Sequence, residues 1–419
     1  MRRSDIVTGL DIGGNAVRLL VCAREEDRLR VLSVTKKPCN GLRKGVIVDI
    51  EETVSAISKA VEEAERVAGV PVERAIVSIG GNHVSAQRAK GVVSVSRADG
   101  EVSPEDVDRA LASAQAVISP ETAANREIIH VVPRSFILDN QPDIRDPVGM
   151  NGLRLEVDAL ILTGSIPFIR NLSKCVDQAG IEIEGLVVSP LAAAQAVLNR
   201  RQKELGVAVV DIGMGTTSVA VFEEDQLLFG SSLPVGAGHV TNDIAIGLRT
   251  SIEVAEKVKL EYGFAVAKDI SPKKEINLSK ISKNEEGAIK NKDIAEIIEA
   301  RMEEIFRLVN KELKRVKRDG MLPAGIVLTG GGAKLPGIVD LAKKEFHLPA
   351  QVGFPLKLEG VSEVLDDPAY AVVTGLVLWE QVERGAGHGG RVIGEITKKI
   401  PDFMKSVHKM KDWFKTFLP

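Results

Sequence analysis

Two stretches decide the fold, Val7–Asp27 (VTGLDIGGNAVRLLVCAREED) and Val207–Asp225 (VAVVDIGMGTTSVAVFEED). Asp11, Ile12 and Gly13 in the first are matched by Asp211, Ile212 and Gly213 in the second. Each triplet closes an apolar run and is followed by an alternating strand that ends in Glu-Glu-Asp. A repeat offset of 200 residues is far too long for a solenoid. It reads instead as a duplicated domain, each half opening its sheet on a strand–turn–strand hairpin.

Outward from these copies the chain alternates Val/Ile-rich strands with amphipathic helical stretches. Ala75–Ile79 and Gly325–Thr329 are examples of strands; Glu51–Ala68 and Ile294–Lys314 are examples of helices. That alternation predicts an α/β protein with mixed sheets. Between the copies, Ser85–Gly164 reads as a compact insertion: a strand at Gly91–Val95, a helix capped by Ser103 with Pro104 at its first position, and strands around Ile128–Ile137 and Leu153–Leu162. Lys268–Lys292 reads as a polar, Lys-rich loop, and Arg384–Gly390 (RGAGHGG) as a flexible linker.

The chemistry of the repeats points to phosphate. Glycines let the backbone approach an anion and converge N–H groups on it. An aspartate closing each preceding strand can hold Mg²⁺ through waters, an ion that keeps much of its hydration. Asp11 and Asp211 are the metal-facing carboxylates in this reading, with Thr216 and Thr217 adding hydroxyls and amides. A third element, Gly325–Gly337 (GIVLTGGGAKLPG), runs a buried strand into Gly330, Gly331 and Gly332, where a nucleoside can lie against bare backbone. Any one of these is an ordinary turn; the three in this order, each after an apolar strand, specify a nucleotide cleft.

Bulk composition narrows the class. At 419 residues the chain needs more than one core. Its 44% apolar and 27% charged residues are ordinary for a globular protein, and a net charge of −3 gives no overall pull toward nucleic acid. Three widely spaced cysteines without a CxxC predict no disulfide framework, and six scattered histidines no metal cluster. No apolar run approaches the roughly 20 residues of a spanning helix, and Asp11 breaks what would be a signal segment. The expectation is a cytoplasmic protein with at most peripheral membrane contact.

The set resembles the actin/Hsp70/sugar-kinase superfamily, with its first phosphate motif at Asp11–Val17 (Gly13, Gly14, Asn15), its second at Asp211–Thr217 (Gly213, Gly215) and its adenosine motif at Thr329–Pro336, which includes Lys334. Over nearly its whole length the chain is similar to the bacterial cell-division FtsA family. The phrases SIGGNHVSAQ and IIHVVPRSFILDNQPDIRDPVGMNGLRLEVDALILTG lie where that family carries its own subdomain, 1C. The resemblance implies an actin-like fold of two duplicated halves around a nucleotide cleft, with an inserted SHS2-like 1C subdomain and a C-terminal amphipathic helix. It implies residues 1–84, 165–198 and 371–383 as subdomain 1A, 85–164 as 1C, 199–242 and 319–370 as 2A, 243–318 as 2B, and 384–399 as linker. It also implies ATP and Mg²⁺ as ligands, with Glu256 and Lys259 reaching ribose and adenine from the helix in TSIEVAEKVKLEYG. Arg301 and Glu304 stand where the family meets the tail of the tubulin-like FtsZ, other copies of the chain are filament partners, and 1C recruits later division proteins. Gly14, Ala16 and Ser189 depart from the superfamily's usual Thr/Ser, Lys and Glu, so binding is expected to survive better than hydrolysis, a slow ATPase at most. The rival readings are a pilus-assembly adaptor and a small-molecule kinase on the same fold.

From Lys398 the chain ends KKIPDFMKSVHKMKDWFKTFLP. On a helix over 400–419, Phe403, Val407, Met410, Phe414 and Phe417 share one face, widened by Met404, Trp413 and Leu418. Lys405, Lys409 and Lys415 lie opposite, with Lys411 near the border. Six lysines against two aspartates make this tail cationic. An aromatic apolar face backed by lysines is the pattern of a helix lying in an anionic membrane surface. A linker of about 16 residues spans roughly 20–24 Å as a coil, and many weak anchors on one filament add by avidity. The reading places the protein at the cytoplasmic face of the membrane, at the division site.

Overall fold

The computed structural model describes residues 5–26, 28–118, 125–283, 285, 287–360 and 363–385. The predicted membrane helix and its twelve named residues lie outside them. Among the described residues no helix is long and apolar enough to cross a membrane.

The first half is built on a six-stranded sheet in the order Glu182–Val188, Arg74–Ile79, Ile6–Ile12, Ala16–Glu25, Arg28–Pro38 and Glu359–Gly360. The first copy of the repeat is its central antiparallel hairpin, pairing Asp11 with Arg18 and Ile12 with Val17. Strand alternation divides the hairpin between two layers. Leu10, Val17, Leu19 and Val21 face the helices Ile50–Ala68 and Ile166–Gln178 in one cluster; Val7, Leu20 and Cys22 face the helix Ala371–Gly385 in another. Ile50–Ala68 starts where the Asp49 carboxylate accepts the Glu52 amide, and stops at Gly69, whose φ of 69° is left-handed.

The second half repeats the plan in five strands, Gln226–Leu233, Thr217–Glu223, Val207–Ile212, Ile326–Thr329 and Ala350–Val352. Its hairpin pairs Asp211 with Ser218 and Ile212 with Thr217, the same register as the first copy. Helices Ala237–Leu248, Ile252–Tyr262 and Asn291–Arg315 pack beyond it around Phe306, Ile294 and Ile298. The segment expected as a polar, Lys-rich loop contains a two-stranded ribbon, Glu275–Asn277 with Ala288–Lys290. Buried Ile276 and Leu278 anchor it, too short a run to show as periodicity among lysines.

The insertion is a four-stranded sheet, ordered Ser85–Ser94, Arg154–Ser165, Arg126–Leu138 and Gln141–Ile144, covered by the helix Pro104–Ala116. The predicted cap is present as a full capping box. Asp106 accepts the Ser103 amide at 3.0 Å, and the Ser103 hydroxyl accepts the Asp106 amide at 3.3 Å. The helix lies so close that a Cβ on Gly91 would meet the Ala110 carbonyl at 2.0 Å. The unit has its own core of Leu155, Val157 and Phe136, while Ile129, Val132 and Leu162 at its base join the core shared by both halves.

Helices Ser189–Val197 and Ala371–Gly385 pack directly on each other. A Cβ on Gly375 would lie 1.7 Å from the Ala192 carbonyl, so the helices touch backbone to backbone. Cys22, Cys39 and Cys175 are buried free thiols; burial pushes Cys22 up to about 12.

Candidate functional site

The two DIG turns face each other across a cleft of about 770 Å³. They come within contact range: a Cβ on Gly14 would lie 4.0 Å from the Gly215 nitrogen. Asp11, Gly13, Gly14, Asn15, Asp211, Gly213, Gly215, Thr216, Glu256, Lys259, Gly330, Gly331, Gly332 and Lys334 all line it. Three segments far apart in sequence thus converge on one cleft.

Thr217 does not line the cleft. Strand alternation turns its side chain into the core, where the hydroxyl donates to the Val235 carbonyl at 2.8 Å and the residue is fully buried. Ser218, one residue on, faces the cleft instead and bonds the Ser232 hydroxyl.

The floor is acidic and tightly held. Asp11 accepts the Ser78 hydroxyl at 2.8 Å and stands 3.8 Å from the Arg18 guanidinium. Burial nonetheless raises its pKa, with Arg18 and Ser78 only partly offsetting that. Asp211 is pushed up to about 7, by burial first and then by the charge of Asp11, with Arg18 acting in the other direction. Gly330, at φ 81°, is packed on this carboxylate; a Cβ there would collide with the Asp211 Oδ1 at 2.2 Å. Two carboxylates that each resist ionisation fit a shared divalent cation, which would satisfy both.

Arg18 is the residue that motif reasoning missed. Its side chain is 11% exposed, rests over the Tyr370 ring at 5.5 Å, and among the described residues its buried Nε has no hydrogen-bond partner. A buried guanidinium with an unmet donor at the mouth of two glycine turns fits an anionic ligand. Ala16, where a superfamily Lys is absent, lies two residues back on the same face of the strand, so Arg18 brings a cation into the cleft by another route. The signal was present as a lone cation inside an otherwise apolar strand, AVRLL. Lys36, directly opposite Arg18 in register, also lines the cleft. Burial lowers its pKa, with Arg18 adding to that.

On the opposite wall Ser251 caps the helix Ile252–Tyr262. Lys259 Nζ donates to Glu256 at 2.6 Å and to the Thr241 hydroxyl at 2.8 Å, and Thr241 donates to Glu256 at 2.5 Å. The triangle fixes both predicted side chains at the cleft wall. Lys334 is paired with Asp367 at 2.6 Å and borders a second, more open groove of about 470 Å³ that contains neither DIG turn.

Arg301 and Glu304 are placed away from the cleft floor, on the helix Asn291–Arg315. Arg301 forks the Asp243 carboxylate at 2.5 and 2.9 Å and donates to Glu304 at 2.5 Å. Among the described residues no group of three or more His, Cys, Asp or Glu side chains is placed to hold a metal.

Residues 208–375 match the family described as cell division protein FtsA, and residues 81–163 match the SHS2 domain inserted in FTSA. The chain is 36% identical over 409 residues to the cell division protein FtsA of Pseudomonas aeruginosa, covering 97% of each. It is 40% identical over 394 residues to that of Bacillus subtilis, covering 94% of this chain and 87% of the relative. Among solved structures, a chain of the PilM–PilN type IV pilus biogenesis complex superposes with a TM-score of 0.64 at 17% identity, covering 89% of this chain and 98% of that one. MreB5 of Spiroplasma citri bound to ADP does so at 0.54 and 15% identity, covering 92% and 100%. At such identities these two structures speak for the fold alone.

Proposed function

This chain belongs to the FtsA family of cell division proteins, and from that premise we propose that it is an actin-like adaptor using a bound nucleotide as a conformational ligand. It assembles with copies of itself into filaments and holds FtsZ filaments at the cytoplasmic face of the membrane, at the division site. The observation that carries the reading is the pair of DIG turns, identical in register, facing each other with the unmet Arg18 donor between them and the bare Gly330–Gly332 backbone alongside.

In this reading the nucleotide is ATP. The glycine turns and Arg18 take its phosphates, the Glu256–Lys259 wall its ribose and base, and Asp11 and Asp211 hold Mg²⁺ through water. The ion supplies charge neutralisation between phosphates and carboxylates when bound. Residues 85–164 serve as subdomain 1C and dock later division proteins. Arg301 and Glu304 in 2B receive the FtsZ tail, and an incoming acidic group there has to compete with Asp243 for the Arg301 fork. The cationic helix over 400–419 inserts Trp413, Phe414 and their neighbours among lipid headgroups. A pilus-assembly adaptor shares the architecture, but the pilus neighbour is 17% identical while the cell division relatives reach 36–40%.

The test is co-sedimentation with anionic liposomes in ATP. It compares the full chain with one truncated after Gly390 and with Trp413→Glu/Phe414→Glu. Only the intact chain should pellet with lipid. All three remaining in the supernatant would refute the membrane role.

A further inference from the structure

The strands Leu42–Arg43 and Val46–Ile47 form a small hairpin turned by Lys44 and Gly45, at φ 52° and 76°. Two consecutive left-handed residues are the tight two-residue turn that keeps strands twisted together. The hairpin bridges the two phosphate turns. At its base the Cys39 amide donates to the Asn15 carbonyl at 3.2 Å, and the Val48 and Asp49 amides both donate to Gly41. At its tip a Cβ on Gly215 would stand 3.2 Å from the Lys44 nitrogen. One on Gly45 would stand 3.1 Å from the Thr216 methyl and 2.7 Å from the Gly81 Cα. Gly45, Gly81 and Gly215 therefore meet with no side chain between them.

Gly81 opens the turn into the insertion, with the Val84 amide donating to its carbonyl at 3.1 Å. Arg126 clasps the two strands that tie the insertion to the first half. Its Nη2 donates to the His83 carbonyl at 2.7 Å, the Ser85 hydroxyl at 2.6 Å and the Thr163 carbonyl at 3.0 Å; its Nε donates to the Thr163 hydroxyl at 2.9 Å. Ser85 begins the strand by which the chain enters the insertion, and Thr163 lies near the end of the strand by which it leaves. The Ser165 amide also donates to His83 Nδ1 at 3.4 Å, and the His83 ring packs on Phe168.

We infer that the Lys44–Gly45 hairpin is a strap that carries the state of the phosphate site to the inserted unit. A phosphate entering between the two turns changes their spacing, and the strap spans the same two turns. Backbone-on-backbone contact leaves no soft layer of side chains to absorb the shift. It passes through Gly81 to His83, and Arg126 delivers it to both strands at the insertion's base. Arg126 acts as a positioning residue, outside the cleft. The inference rests on the nucleotide reading, and coupling of this kind is established by a measured response rather than by spatial continuity alone.

The experiment is hydrogen–deuterium exchange on the full chain without nucleotide, with ADP and with a non-hydrolysable ATP analogue, alongside fluorescent-nucleotide binding. In the wild type, amides of 41–49, 81–85 and 163–165 should change together and differ between triphosphate and diphosphate. In Arg126→Lys, which keeps the charge but cannot fork across four contacts, nucleotide affinity and the response of 41–49 should persist while the response of 163–165 is lost. Nucleotide binding without any response in 41–49, or an Arg126→Lys insertion that responds like wild type, overturns the inference and leaves the nucleotide reading intact. Absence of nucleotide binding overturns both. The wild-type comparison stands by itself if the variant does not fold.

Discussion

His130 sits on the strand Arg126–Leu138 where the insertion meets the first half, 1% exposed, with its ring 5.6 Å from that of Trp379. Its Nε2 accepts the Val188 amide at 3.2 Å. Burial drives its pKa down from 6.5 to about 3, so the folded protein keeps the ring neutral where an unfolded chain would protonate it. Between those two values the unfolded state binds more protons, so stability is full above about pH 6.5 and falls as pH drops toward about 3. Between about pH 7 and pH 5 the loss is about 2 kcal/mol, and its ceiling at lower pH is about 5 kcal/mol, from 1.36 kcal/mol per pKa unit. Asp211, raised to about 7, works the other way: the fold holds its proton more tightly, so acid favours the fold there. The measurement must therefore be a difference. His130→Gln preserves an acceptor for the Val188 amide but does not titrate. Urea unfolding of both proteins by circular dichroism, at steps from about pH 7 to pH 5, should show their stability gap shifting by about 2 kcal/mol in the variant's favour. Parallel loss of stability in the two proteins would mean the buried ring is not held neutral, and would refute the reasoning.

Arg18→Gln removes the buried guanidinium whose Nε donor is unmet among the described residues and should weaken fluorescent ATP binding about 10- to 100-fold, the worth of one charge-assisted hydrogen bond; unchanged affinity by calorimetry would exclude it from the phosphate site. Asp106 is held well below the usual carboxylate range: burial raises it, but the Ser103 amide and the side chains of Arg109, Ser96 and Ser103 together outweigh that. Asp106→Ala strands the Ser96 and Ser103 amides and should cost about 2–4 kcal/mol, read as lost exchange protection across the helix Pro104–Ala116 with the second half unaffected. Gly375→Ala forces a methyl group against the Ala192 carbonyl and should cost about 1–3 kcal/mol through separation of the two crossing helices; a thermal midpoint equal to wild type would show that the crossing yields freely.

The duplication and the cleft were legible because each rests on local pattern. Asp-Ile-Gly after an apolar strand, echoed 200 residues later, specifies a hairpin through turn chemistry and alternation, and both hairpins form in the same register. Ser103 and Pro104 announced their helix by the same kind of local rule. What local pattern could not decide is which way a side chain points once a strand has a face to cover. Thr216 and Thr217 look equivalent as letters, yet the pleat sends Thr217 to the Val235 carbonyl and Ser218 to the cleft. Arg18 is a strand residue like its neighbours until the helix Ala371–Gly385 covers its face and leaves its guanidinium buried at the open end. The ribbon at Glu275–Asn277 has too few apolar positions for a periodicity to register and depends on burial of Ile276. The strap at Lys44–Gly45 and the Arg126 clasp exist only where segments distant in sequence touch. Sequence determines turns, periods and composition because these act between near neighbours. Burial, pKa shifts and the contact between halves belong to the tertiary structure, because they depend on what lies across the cleft.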